Sequence, residues 1–136
     1  MPSYRDIGKE YELSQARYRE LMYFCRQYDE KKEIIGDLHY EHGFQSGALT
    51  GQPLTSGAGE SVVERRALKA LPHVQDVEMI DRCLDLAVGE DKGIIEALRL
   101  NVTRGIKWEY LNVPCGKSKF YNVYRRYFFW LLDQRK

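Results

Sequence analysis

Between residues 120 and 131, Phe120, Tyr124, Tyr127, Phe128 and Leu131 recur every three or four positions, which stacks them on one face of a 3.6-residue period. A strand alternates every two residues and cannot gather this set, so the C-terminal stretch reads as a helix with a buried aromatic ridge. Lys117, Lys119, Asn122, Arg125 and Arg126 fall largely off that ridge. They leave cations and an amide on the solvent side, and a helix of this kind suits a DNA groove. Pro114 disfavours helical backbone at Val113, and Gly116 frees the chain before the new helix, with Gly116 or Ser118 as its N-cap. Upstream, Ile94, Ile95, Leu98 and Val102 form a helical stripe that Gly105 terminates, and Lys107–Asn112 reads as a short helix. Three helices with two short connections make a minimal helix-turn-helix unit.

A chain of 136 residues with 43% apolar content can bury one modest core. No run of 18 apolar residues occurs and Met1-Pro2-Ser3-Tyr4-Arg5-Asp6 carries no hydrophobic leader, so the expectation is a cytoplasmic protein with no membrane partner. Cys25, Cys83 and Cys115 are odd in number and far apart, which argues against a disulfide framework and for reduced thiols in or near the core. The net charge of +1 hides an asymmetry. Residues 93–136 hold nine Lys or Arg against three acids, net +6, whereas residues 1–92 hold 12 against 17, net −5. A basic end on an acidic body suits a protein that offers one end to a polyanion.

Four segments follow along the chain. Residues 1–38 carry amphipathic helix from about Ser14 to Leu38, with Leu13, Tyr18, Leu21, Phe24, Cys25 and Tyr28 inward and a restart near Asp29. Residues 39–59 read as a Gly-rich loop, since Gly43, Gly47, Gly51, Gly57 and Gly59 accompany Pro53. Residues 60–88 form a charged central helical segment, kinked or divided at Pro72. One apolar stripe there is Val62, Val63, Ala67, Leu68 and Leu71; the other is Val77, Ile80, Leu84, Ala87 and Val88. A narrow apolar seam of this kind suits oligomerisation. Residues 89–136 are the helix-turn-helix unit, with Asp91 as a candidate cap.

No catalytic constellation emerges. His39, His42 and His73 lie in the loop or at the proline break, and no nucleophile elbow surrounds any Ser or Cys. His39-Tyr40-Glu41-His42 lacks a third and fourth ligand, so neither a metal nor another cofactor is expected. The glycine cluster has no Gly-Lys-Ser/Thr and is not a phosphate loop. The reading is a non-enzymatic binding protein.

The strings Val102-Thr103-x-Gly105-Ile106-x-Trp108-x-Tyr110-Leu111, Val113-Pro114-Cys115-Gly116-x-Ser118-x-Phe120-Tyr121 and Arg125-Arg126-Tyr127-Phe128-Phe129-Trp130-Leu131-Leu132 carry a resemblance, as does Tyr18-Arg19-Glu20-Leu21-Met22-Tyr23-Phe24. They resemble the small ArpU- and RinA-type late-gene regulators encoded by phages of Gram-positive hosts. That resemblance implies an all-α helical bundle whose C-terminal unit is similar to the promoter-reading region 4 of a sigma factor. It also implies a phage or prophage transcriptional regulator working on double-stranded DNA in the bacterial cytosol, as a homodimer, with host RNA polymerase as a further partner. Lys107 to Asn112 would be the supporting helix, and Lys117, Lys119, Tyr121, Asn122, Arg125 and Arg126 would lie on or beside the recognition face. Within that face, Lys117, Lys119 and Arg126 suit phosphates, whereas Asn122 and Arg125 suit base edges. Asn112-Val113-Pro114 departs from the family pattern by cutting the supporting helix short.

Two other readings share the same residues. A small packaging subunit also joins a DNA-binding unit to oligomerising helices and forms rings. A protein inhibitor or interaction module would dock the basic-aromatic C-terminus on an acidic protein surface.

Overall fold

The computed structural model describes residues 13–48 and 62–135, with side chains for all of these except 39–48. The described residues are all-helical, without strands: α1 (Gln15–Arg26), α2 (Tyr28–Ala48), α3 (Val62–Val88), α4 (Ile95–Arg104) and α5 (Lys117–Gln134). Single 3-10 turns, Lys92–Ile94 and Trp108–Tyr110, flank α4. None of these helices is long and apolar enough to cross a membrane.

The chain divides into two compact units, one comprising the residues up to Tyr28 with those from Glu78 onward, the other Asp29–Val77. The boundary falls inside α3. In the first unit, Ser14 caps α1 through its Oγ, which accepts from the Arg17 amide at 3.1 Å. α1 then stops at Gln27 and α2 restarts at once, close to the restart expected at Asp29. Leu21, Phe24 and Cys25 of α1 are buried, as are Ile80, Cys83, Leu84, Ala87 and Val88 of α3 and Ile94, Leu98 and Val102 beside or within α4. α5 contributes Phe120, Tyr121, Val123, Tyr124, Tyr127, Phe128 and Leu131. The aromatic ridge is the centre of this core.

Buried hydroxyls in that core find partners, because an unmade hydrogen bond away from water costs about 1–3 kcal/mol. Tyr18 and Tyr124 share a 2.7 Å bond, and the Tyr127 hydroxyl lies 2.9 Å from Cys25 Sγ. Burial pushes the Cys25 thiol up to about 12 and the Cys83 thiol up to about 11. Both thiols are free and buried, and stay protonated at neutral pH.

One expectation needs correction. The stretch read as loop from His39 is helical backbone to Ala48, ten residues further than expected. Gly43 and Gly47 each weaken a helix by only about 1 kcal/mol, too little to end one. Residues 49–61, the rest of that loop, lie outside the described residues. Of the two outcomes expected at Pro72, one kinked helix or two separate ones, the second does not occur: α3 runs through the proline as one helix. The proline removes the bond to the Leu68 carbonyl, and since both residues are exposed, water can serve that acceptor. Of the stripe Val62, Val63, Ala67, Leu68 and Leu71, read above as a seam suited to oligomerisation, only Val62 is not exposed.

Among the described residues of the unit Asp29–Val77, Ala70 is a buried apolar side chain and Lys31 a buried charge. The Lys31 ammonium meets Asp76 Oδ2 at 2.6 Å. This ion pair joins α2 to the first half of α3.

Candidate nucleic-acid interface

The interface is built on α5. Gly116, with extended backbone (φ −73°, ψ 166°), is its N-cap, and Ser118 lies inside the helix. With the ridge fixing the inward face, the helical period turns Ser118, Lys119, Asn122, Arg126 and Phe129 outward, and all five are exposed. Arg125 sits at the edge of this face, half-buried, and its Nη1 donates to Asn122 Oδ1 at 2.8 Å. That bond occupies the Asn122 carbonyl and leaves its amide N–H groups outward.

Local acids hold two of the cations. Lys119 Nζ donates to Asp91 Oδ1 at 3.2 Å, and Lys117 Nζ to Glu109 Oε1 at 3.0 Å. Glu109 sits below the usual carboxylate range, through its own backbone N–H and then the Lys117 ammonium, and Glu109 in turn raises Lys117. Asp91 therefore gives its carboxylate to Lys119, while the 3-10 turn after it is closed by the Ile94 amide donating to the Asp91 carbonyl. The side-chain cap expected of Asp91 is not made. Lys107 and Arg126 are exposed, and no ion pair joins Arg126 to another described residue.

Two sequence-predicted members behave differently from expectation. Tyr121 is buried, its ring edge-on to Phe120 and Tyr124 at 5.3 and 5.8 Å. It is a core ring and not part of the outward face, because residue 121 lies half a turn from Lys119 and Arg126. The expected supporting helix, Lys107–Asn112, is a 3-10 turn over Trp108–Tyr110. Three residues close on themselves when Pro114 and the extended Leu111 stop the helix from propagating. Gly105 ends α4 as expected, in the left-handed region at φ 71°, with its amide donating to the Asn101 carbonyl at 2.9 Å. Asn101 Nδ2 then donates to the Ile106 carbonyl at 2.8 Å, which pins the start of the connection to α5.

Phe129 and Trp130 cannot both face the core that Tyr127, Phe128 and Leu131 define, so the sequence expectation is that at least one ring meets a partner, such as a second copy of the chain. Phe129 is 42% exposed and packs edge-on against Trp130, with centroids 5.3 Å apart. Among the described residues no cluster of three His, Cys, Asp or Glu side chains could hold a metal ion. His39 and His42 have side chains outside the described set.

No family model, no curated protein and no solved structure matches this chain.

Proposed function

We propose that this protein binds double-stranded DNA through the outward face of α5 and acts as a sequence-specific transcriptional regulator. The observation that carries the reading is the set Lys119, Asn122, Arg125 and Arg126 on one side of a helix whose other side is locked into an aromatic core. A rigid helix pays little entropy on docking, and its cations neutralise phosphates. Arg126 and Lys119 would contact phosphates, while Arg125 and Asn122 would reach base edges, most readily guanine O6/N7 for Arg125. Asn122 reads adenine with both its oxygen and its amide, so adenine recognition requires the Arg125 bond to open. Regulation, as opposed to packaging, rests on the resemblance to ArpU- and RinA-type proteins. So do a homodimer and contact with RNA polymerase. The helix-turn-helix would then be an abbreviated one, with the Trp108–Tyr110 turn standing where the supporting helix would be.

Titration of labelled genomic duplex fragments at two salt concentrations tests this. Arg126→Glu should abolish site-selective binding, and Asp91→Asn should strengthen it by releasing Lys119 from its carboxylate. A folded protein that binds no fragment at either salt concentration sinks the proposal.

A further inference from the structure

Helices α1 and α2 carry matching stripes of opposite charge. On α1, Arg19, Tyr23 and Arg26 follow one another at steps of four and three residues, and on α2 Glu30, Ile34 and Asp37 do the same. Each set therefore lines one side of its helix, with two like charges about 10 Å apart and an apolar side chain between them. Ile34 is half-buried and the other five are exposed, Tyr23 at 67%. Among the described residues no ion pair joins Arg19, Arg26, Glu30 or Asp37 to another side chain. Helix dipoles account for Arg26 in the last turn of α1 and Glu30 in the first turn of α2, but Arg19 and Asp37 lie away from those ends. The Arg26 guanidinium rests over Gly105, whose missing Cβ leaves it room. Beside this stripe a cavity of about 260 Å³ is lined by Gln15, Tyr18, Arg19, Met22 and Tyr23.

We infer that these stripes hold two copies of this chain together, α1 of one against α2 of the other. The occupant follows from charge complementarity at equal spacing. An antiparallel approach sets Arg19 against Asp37 of the second copy, Arg26 against its Glu30 and Tyr23 beside its Ile34, and a two-fold relation repeats each contact. The cavity on α1 gives the Ile34 side chain a hole to enter, which adds apolar burial to ion pairs that are individually weak. Like charges in register also disfavour α1 on α1 and α2 on α2, so the pairing is selective. This contact deepens the homodimer of the regulator reading. It uses none of the α5 side chains, so dimerisation and DNA binding can fail separately.

Sedimentation equilibrium of the full chain tests this. The wild type should be a dimer whose dissociation constant rises roughly tenfold between about 0.1 M and about 1 M salt. Arg19→Glu with Arg26→Glu should weaken self-association by roughly a hundredfold, and so should Glu30→Arg with Asp37→Arg, because each sets like charges against each other. Mixed in equal amounts, the two double variants should form a heterodimer, since each reversed stripe then faces its opposite. Should either reversal unfold the chain, Arg19→Gln with Asp37→Asn carries the test, with a dissociation constant raised roughly tenfold. Arg65→Glu with Lys69→Glu, an equal change of net charge on α3, should leave the dimer intact. A wild type that stays monomeric, reversals without effect on mass, a mixture that does not associate, or dissociation in the α3 control as well overturns the inference. Duplex titration is read separately: a dimer that binds no DNA sinks only the DNA reading, and a monomer that binds it sinks only the dimer contact.

Discussion

α3 is one continuous helix with two different fates for its apolar residues. In Val62–Val77 the side chains of Val63, Leu68 and Leu71 are 43, 59 and 46% exposed, whereas in the second half Ile80, Cys83 and Leu84 are fully buried. Helical spacing is present in both halves, so periodicity does not distinguish them. The difference is what each half packs against. The second half belongs to a unit whose α5 supplies seven buried side chains, five of them aromatic. The first half belongs to a unit whose buried groups include an ammonium. An apolar stripe states that a helix can be buried; only a partner of matching shape buries it.

The sharpest way to break that comparison exchanges the same residue type on the same helix. Leu84→Ala should cost about 2–5 kcal/mol, by lost transfer energy plus a cavity, and Leu68→Ala under about 0.5 kcal/mol. Urea unfolding reads both, since Trp108 and Trp130, the only two tryptophans, lie in the unit containing α5 and far-UV ellipticity reports the whole chain. A Leu68→Ala cost as large as that of Leu84→Ala would mean the outer stripe is covered in solution, and the contrast between the halves would vanish.

Alkali should separate the units next. The buried Cys25 and Cys83 thiols keep their protons in the folded state up to about 12 and about 11, against an ordinary value of 9.0. Raised thiol values mean that the native state binds more protons than the unfolded chain in this window. Their contribution is therefore complete below about pH 9 and is lost as pH climbs from there toward 12, at up to about 1.4 kcal/mol per pH unit for each thiol. Asp29–Val77 contains no cysteine, so this slope belongs to the other unit alone. Urea titrations from pH 7 to 10.5, with tryptophan as the probe, should show the decline, and Cys25→Ala should flatten it. Equal slopes for wild type and Cys25→Ala would refute the assignment.

These contrasts mark what could be read in advance. The inward face of α5, the Gly105 stop, the Ser14 start and the break before α2 are local properties of spacing and capping, and the sequence carries them directly. The length of Lys107–Asn112 is also local, but extended Leu111 and Pro114 outweighed its helical composition. Tyr121 failed for another reason: the resemblance alone places it beside the recognition face, and only the breadth of the core decides that the ring goes inside. The pairs Tyr18–Tyr124, Cys25–Tyr127, Lys119–Asp91 and Arg82–Gln134 join residues far apart in the chain. Nothing in the local pattern names such partners. The site shares this division, for its outward residues follow from the period, while the acids that hold Lys117 and Lys119 do not.

The smallest of the three effects concerns the unit Asp29–Val77. Lys31 is 9% exposed and its ammonium lies 2.6 Å from Asp76, whose side chain is 31% exposed. A pair in this position is neither a solvated surface bridge, worth about 0–1 kcal/mol, nor a dry one. Asp76→Ala strips the buried ammonium of its carboxylate and should cost about 1–2 kcal/mol, read as earlier loss of far-UV signal in urea with the tryptophan transition unmoved. Replacing both partners, Lys31→Met with Asp76→Leu, should recover most of that loss, because an apolar pair of similar size needs no counter-charge. Salt decides how the pair works. Surface attraction is largely screened at 1 M, whereas a pair with one partner this buried is screened much less. The Asp76→Ala difference should therefore persist in 1 M NaCl, and its disappearance would reduce Lys31–Asp76 to an ordinary surface contact between α2 and the first half of α3.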